Sequence, residues 1–467
     1  MKISARCRLF GLLFVGLLLP KHLWAQRGYS DASVSMNRAN GILEPSQVIV
    51  EEYLNYHTHQ IPLPTGPAKA RLSLAWGNPE VSAHDSLAVL QIGISTSRTL
   101  PLTQRPPINV SLVVDCSGSM QEEGRLEKVK NALRQFSHGL GPQDHVALVA
   151  YSSDASAVLP AQLTNREAFE RAVSSLEPSG STNLFSGMLL GYQEVMKFHA
   201  TGSSSRVILL TDGLVNTGET NLEKIVMASA DYTKKGIEIS TIGVGSDVNF
   251  ALLQQLARSS RGQNHFIGAN PEDLRKTFDQ ELESLLGFVG KTPVLSLSYP
   301  PGLELTGLLG YAPQLTPGHL ELPLNTLPQG LTQVVLVKFR VRRDAKAVLP
   351  VQAELRYIDQ QSQPVRLQEQ AELQVQQQAP ALNSALSNQE VRKNYLIGYL
   401  ATQLKEFARL TEAQQLPQAV TVGQAALQVT DRLYPHGMDK DVQRVRDIVA
   451  SNVGLAQQAA DKGRNRN

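Results

Sequence analysis

The sequence predicts an α/β domain inserted in an antiparallel β-sandwich, followed by a helical region. Three observations predict this fold class. Between Ile108 and about Gly287, short apolar runs alternate with helical periods. That pattern requires a doubly wound, mostly parallel sheet with helices on both sides. On either side of this stretch, apolar residues alternate at period two without intervening helices, as half-buried strands do. From about Ala381 the periodicity is helical.

The chain has 467 residues, enough for two to four domains, and its 42% hydrophobic and 18% charged residues are globular proportions. Residues 1–25 read as a secretory signal peptide. Lys2, Arg6 and Arg8 precede an apolar run from Leu9 to Leu19, and Ala25 offers a small residue for cleavage. The run is too short to span a membrane, so the expected product is exported, periplasmic or cell-surface, with membrane association only indirect. Removing Lys2, Arg6, Arg8 and Lys21 takes the formal charge from +2 to −2. Near-neutrality gives no electrostatic case for nucleic acid. Of the two cysteines only Cys116 remains, so no internal disulfide is available and the cores must carry stability.

Residues 26–105 start polar and become strand-like. Leu72, Leu74 and Trp76 alternate, as do Leu90, Ile92 and Ile94, with prolines at 62, 64, 67 and 79 between. In residues 106–288 the apolar runs are 108–114, 145–151, 206–211, 237–244 and 264–267. Leu126, Val129, Leu133 and Phe136 share one helix face, Leu222, Ile225 and Val226 another. Asn270 caps a last helix that has Pro271 at its first position. Residues 289–375 return to strands: Leu320, Leu322 and Leu324, then Val335, Val337, Phe339 and Val341, then Ala353, Leu355 and Tyr357. The strands before Arg105 are too few for a sandwich of their own, so both β regions are expected to form one. Gln374–Pro380 reads as a linker. Residues 381–460 are helical, with a capping box at Ser387 and Glu390 and a stripe of Leu396, Leu400, Leu404 and Phe407.

The chemistry gathers where the parallel strands end. The stretch LVVDCSGSM places Asp115, Ser117 and Ser119 at every second position after an apolar strand. The loop Ser179–Leu184 contains Thr182, and the strand RVILLT ends in Asp212. Ligands of open parallel sheets bind beyond the carboxyl ends of the strands. Two carboxylates and three hydroxyls are hard oxygen donors suited to Mg²⁺, with Mn²⁺ or Ca²⁺ as substitutes and waters filling the shell.

The motifs DCSGSM, STNL and LLTDG, in this order on this strand–helix alternation, resemble those of the von Willebrand factor A domain. Its metal-ion-dependent adhesion site is D-x-S-x-S, then a threonine, then an aspartate. Asp115, Ser117, Ser119, Thr182 and Asp212 match residue by residue. The resemblance covers about residues 106–288. The stretches VEEYLNYH (50–57) and RPPINVSLVVD, with the trailing β and helical regions, are similar to a bacterial exported subgroup of such proteins. Cys116 departs from the residues usual at its position without removing a ligand. The resemblance implies a protein-binding module and not an enzyme. In it, hydroxyl ligands leave the metal net positive charge, and a partner's Asp or Glu completes the shell. It also implies coupling of affinity to movement of the last helix, here Pro271 to about Leu286.

Other readings compete. A serine hydrolase needs a base near Ser117 or Ser119, yet His138 and His145 lie in no recognisable motif, and His138 reads as a helix C-terminal residue. Cys116 lacks a C-x-x-C partner and reads as packing. His57 and His59 share a strand face without a third ligand, and read as solvated surface. A passive structural envelope protein remains the alternative to metal-dependent binding.

Overall fold

The computed structural model describes residues 43–464, apart from 83–86, 99–106, 201–203, 213–214, 246–247, 268–276, 279–280, 283, 286, 377–385 and 435–438. The elements run α1 (Val50–Asn55), β1 (Ala70–Trp76), β2 (Glu80–Ser82), β3 (Leu87–Thr96), β4 (Ile108–Asp115), α2 (Arg125–His138), β5 (His145–Tyr151) and β6 (Ala155–Leu163). Next come α3 (Arg166–Ser174), α4 (Leu184–Met196), β7 (Ser204–Thr211), α5 (Leu222–Lys234), β8 (Glu238–Val244), α6 (Phe250–Ser259) and β9 (Arg261–Ile267). The strands β10 (Phe288–Ser298), β11 (Leu303–Leu308), β12 (Gln314–Thr316), β13 (His319–Pro323), β14 (Leu327–Pro328), β15 (Thr332–Val341), β16 (Val348–Ile358) and β17 (Pro364–Gln376) follow. Helices α7 (Gln389–Glu412), α8 (Leu416–Leu433) and α9 (Lys440–Arg464) end the chain.

The α/β domain holds a six-stranded sheet in the order β6-β5-β4-β7-β8-β9, parallel except for β6. The alternation in β4 sorts its side chains into two cores. Ile108, Val110, Leu112 and Val114 pack with Leu126, Val129, Leu133 and Phe136 of α2. Val113 packs on the other face with Leu184, Met188 and Tyr192 of α4. Each such buried Leu or Phe contributes about 1.5–3 kcal/mol. The sequence pattern missed β6, because Pro160 interrupts its apolar run. Proline is tolerated there since β6 is an edge strand. Of the last helix, Thr277, Phe278, Glu281, Leu282, Ser284 and Leu285 are described and helical. Its predicted cap at Asn270 and Pro271 lies outside the described residues, as does the signal peptide.

The sandwich draws strands from both sides of the α/β domain. One sheet runs β1-β3-β15-β11, the other β12-β13-β10-β16-β17-β2, with β14 beside β10. Strand β3 pairs β15 antiparallel, setting Ile92 against Val335 and Leu90 against Val337. Their inward residues form one core with Leu295, Leu297, Leu320, Leu322 and Leu355.

Four local expectations are corrected. The stretch Val50–Asn55, read as part of a strand-like region, is helical: Val50 and Tyr53 pack against Leu396, Leu400 and Leu404 of α7. The first three linker residues, Gln374–Gln376, are strand, paired with Glu80–Ser82. Helix α7 is capped by Asn388, whose side chain accepts from Val391 N at 3.2 Å, and not by Ser387. Ser387 is held instead by Asn78 and Gly77, and Glu390 turns to Gln60 N at 3.0 Å and Lys393 at 3.1 Å.

The fourth concerns His57 and His59, which are 6% and 3% exposed, not solvated. His57 Nε2 lies 3.2 Å from Asn394 Oδ1, and His59 Nε2 lies 3.0 Å from Asn55 Oδ1. Asn55 in turn mimics a strand residue: its Oδ1 accepts from Val334 N at 2.8 Å and its Nδ2 donates to Val334 O at 3.3 Å. The segment therefore clamps α1, the outer face of β15 and α7 together. It was misread because period two says nothing about what covers a face.

Candidate metal centre

Strand β4 lies between β5 and β7. The chain proceeds to one side of β4 first and then to the other, so a crevice forms beyond its carboxyl end. Asp115 emerges there, 0% exposed. Its Oδ1 accepts from Ser117 N at 2.8 Å. Its Oδ2 accepts from Thr211 Oγ1 at 2.7 Å and from Tyr151 OH at 3.1 Å. Burial pushes the Asp115 carboxyl above its usual range, opposed by the hydrogen bonds from Ser117 and Thr211, while the charge of Asp212 adds to the rise.

Ser117 continues in extended backbone (φ −64°, ψ 164°) before a 3-10 stretch, Gly118–Gly124, and its side chain caps nothing. Its Oγ is 3.1 Å from Ser119 Oγ. Ser119 Oγ donates to Asp212 Oδ2. Asp212 follows β7 and is 1% exposed. Asp115 thus accepts a backbone N–H, while Ser117 is no helix cap.

Thr182 is brought to the same edge by the backbone. Gly118 N donates to Gly180 O at 3.1 Å and Ser179 N to Cys116 O at 2.6 Å, tying the two loops together. Gly180 turns at φ +70°, where a Cβ would meet Ser153 Oγ at 2.7 Å. Thr182 N donates to Asn216 Oδ1 at 2.8 Å, and Thr182 O accepts from Asn216 N and Thr217 N, so the loop after β7 is bound in as well. Thr182 is itself 2% exposed.

The donor set fits a small hard cation. Neighbouring ligands of an octahedral shell with bonds of about 2.0–2.1 Å stand about 2.9 Å apart. The spacing of the two serine oxygens, 3.1 Å, is close to that edge. Among the described residues no three His, Cys, Asp or Glu side chains converge, so a cation here would depend on hydroxyls. Ser117, Ser119 and Asp212 face one another, with Asp115 behind them engaged by internal donors.

Cys116 lies on the opposite side, packed with Met120 and Leu126 in the α2 core. Burial raises its thiol to about 12, and the charge of Asp115 adds to that, so it holds its proton and is inert. Sequence reasoning missed Tyr151, Thr211 and Arg125. The first two carried a signal, because a polar residue at the carboxyl end of a neighbouring parallel strand shares the edge with Asp115. Arg125 carried none. It opens α2, is 3% exposed, and its Nη1 lies 3.5 Å from Asp212 Oδ2.

The model of the von Willebrand factor type A domain matches residues 109–280, which include all five of these side chains. Residues 109–280 are a von Willebrand factor type A domain. Around this A domain the chain is similar to the uncharacterised Escherichia coli (strain K12) protein YfbK. The two are 28% identical over 280 residues, 58% of this chain and 48% of that protein. The uncharacterised protein sll0103 of Synechocystis is 29% identical over 257 residues, 54% of this chain and 59% of that one. The chain thus spans about half the length of these relatives. Among solved structures, a von Willebrand factor type A protein from Catenulispora acidiphila aligns with a TM-score of 0.62. It is 16% identical and covers 78% of this chain and 87% of its own. That shared fold extends well beyond the A domain into the flanking strands.

Proposed function

We propose that the protein is a metal-ion-dependent protein-binding module of the cell envelope. A divalent cation, Mg²⁺ first, is held by Ser117, Ser119, Asp212 and Thr182, with Asp115 supporting the shell from behind. An Asp or Glu from a protein partner completes the coordination. The observation that carries this reading is the direct contact of Ser117, Ser119 and Asp212 oxygens at the switch point of the sheet. Hydroxyl donors leave a bound cation short of negative charge, which favours an external carboxylate. A Lewis acid so placed docks a ligand without transforming it. The Ser117 and Ser119 hydroxyls meet each other and the Asp212 carboxylate, an arrangement that supports binding over hydrolysis.

The test is capture from envelope extracts by the immobilised protein in Mg²⁺, in EDTA, and with Asp115→Ala. The expected result is a partner retained only by wild type in Mg²⁺. A capture unaffected by EDTA and by Asp115→Ala refutes metal-dependent binding and favours a passive structural role.

A further inference from the structure

Arg125 follows Gly124, which turns in the left-handed region at φ 64° and aims the first residue of α2 at the site. Its guanidinium lies against Gly245, where a Cβ would come within 2.8 Å of Nε. Nη1 is 3.5 Å from Asp212 Oδ2, and Nη2 is 3.7 Å from Glu122 Oε2, a side chain that is 67% exposed. Among the described residues, Nε has no hydrogen-bond partner. A guanidinium has five donors and is normally well supplied with acceptors when buried. Among the described residues, the one buried carboxylate within ion-pair distance of Arg125 is Asp212. Arginine does not shed its charge, so this positive charge stays beside Asp212 whatever else the site holds.

We propose that Arg125 is a built-in counter-cation of the metal centre, which weakens cation binding until an acidic partner arrives. The inference rests on the metal-binding reading above. Without a cation, Arg125 offsets the buried charge of Asp212. A divalent cation at Ser117, Ser119 and Asp212 has a fixed positive charge for a neighbour, in a buried setting where salt screens little. The charges of Asp212 and, behind it, Asp115 are then outweighed by those of the cation and Arg125, and a net positive charge remains. A partner's carboxylate cancels it. Cation and acid therefore each tighten the binding of the other, by reciprocal coupling. A site without Arg125 would hold its cation more tightly by itself; with it, secure loading depends on the ligand.

The experiment titrates the full chain with Mn²⁺ by calorimetry, for wild type, Arg125→Met and Arg125→Lys, and records unfolding temperatures in EDTA. Arg125→Met should bind Mn²⁺ about tenfold more tightly than wild type and unfold at a lower temperature in EDTA. Arg125→Lys should keep the wild-type affinity. Arg125→Gln replaces the methionine variant if the latter fails to fold. Tightening in Arg125→Met when wild type shows no measurable binding also supports the inference. Equal or weaker binding by Arg125→Met overturns the role of Arg125 and leaves the metal centre standing. No Mn²⁺ binding by wild type or Arg125→Met overturns both.

Discussion

The Ser119 hydroxyl donates to the Asp212 carboxylate, joining the loop after β4 to the end of β7 across 93 residues of chain. This contact makes two distant motifs one site. At free Mg²⁺ about a hundred times its dissociation constant, the native state should gain about 2.7 kcal/mol. Thermal unfolding in Mg²⁺ and in EDTA measures that gain as a difference in Tm. Ser119→Ala and Asp212→Asn should each remove most of the difference. Identical Tm values in the two buffers for both wild type and Arg125→Met would refute the metal centre.

Tyr151 supports the site from beneath, donating to Asp115 at 3.1 Å with its own side chain 1% exposed. Tyr151→Phe removes a hydrogen bond to a buried carboxylate and should cost about 1–3 kcal/mol. Urea midpoints give the value. A change below a few tenths would mean that Thr211 and Ser117 satisfy Asp115 without it.

The His57–His59 clamp should make stability depend on pH. Burial first, then His59, Lys393 and Arg444, hold the His57 pKa well below its ordinary value. Burial and Lys393 lower that of His59, against Glu390 and Asn394. In the unfolded chain both protonate near the ordinary value of about 6.5. The clamp's contribution is therefore complete above that pH and declines as the pH falls below it. Glu390 is held down to about 2: burial raises it, and His59, Lys393 and Gln60 N more than reverse that. It stays charged across this window and does not obscure the effect. Urea unfolding from pH 7.5 to 5.5 should show the loss, and His57→Gln should flatten the slope. A slope unchanged in that variant would argue against the clamp as its source.

Gly191 lets α4 lie close to the sheet. A Cβ there would stand 2.4 Å from Val113 Cγ2 and 3.3 Å from Val207 Cγ1. Gly191→Ala should cost about 1–3 kcal/mol by overpacking, despite alanine's better helix propensity. Combining it with Val113→Ala should cost less than the sum of the two, as a double-mutant cycle in urea would show.

At the start of α7 the two candidate caps can be separated. Asn388→Ala should cost about 1 kcal/mol. Ser387→Ala, which loses a 3.3 Å bond to Gly77 O, should cost less. The reverse order in denaturant midpoints would restore the capping box read from the sequence.

Much of this architecture was legible because its signals are local. Strand–helix alternation, period-two runs in β1, β3 and β15, and the α2 stripe each report burial on one face over a few residues. Edge strand β6 was not legible, since its proline weakens the pattern, and α1 was too short to display a period. The clamp was misread for a different reason. His57 and His59 look polar in sequence, and their burial is made tolerable by Asn55 and, from α7, by Asn394 and Glu390.

The sequence by itself determined the strand–helix alternation, most of the sandwich strands and the oxygen-bearing residues at the strand ends, because covalent neighbours set the period and the turn chemistry. The tertiary structure alone decided that β3 pairs β15, that Ser119 meets Asp212, and that Arg125 stands beside that carboxylate. Those contacts join segments far apart in the chain, and no short-range pattern encodes which buried charge will find which counter-charge once the sheet closes.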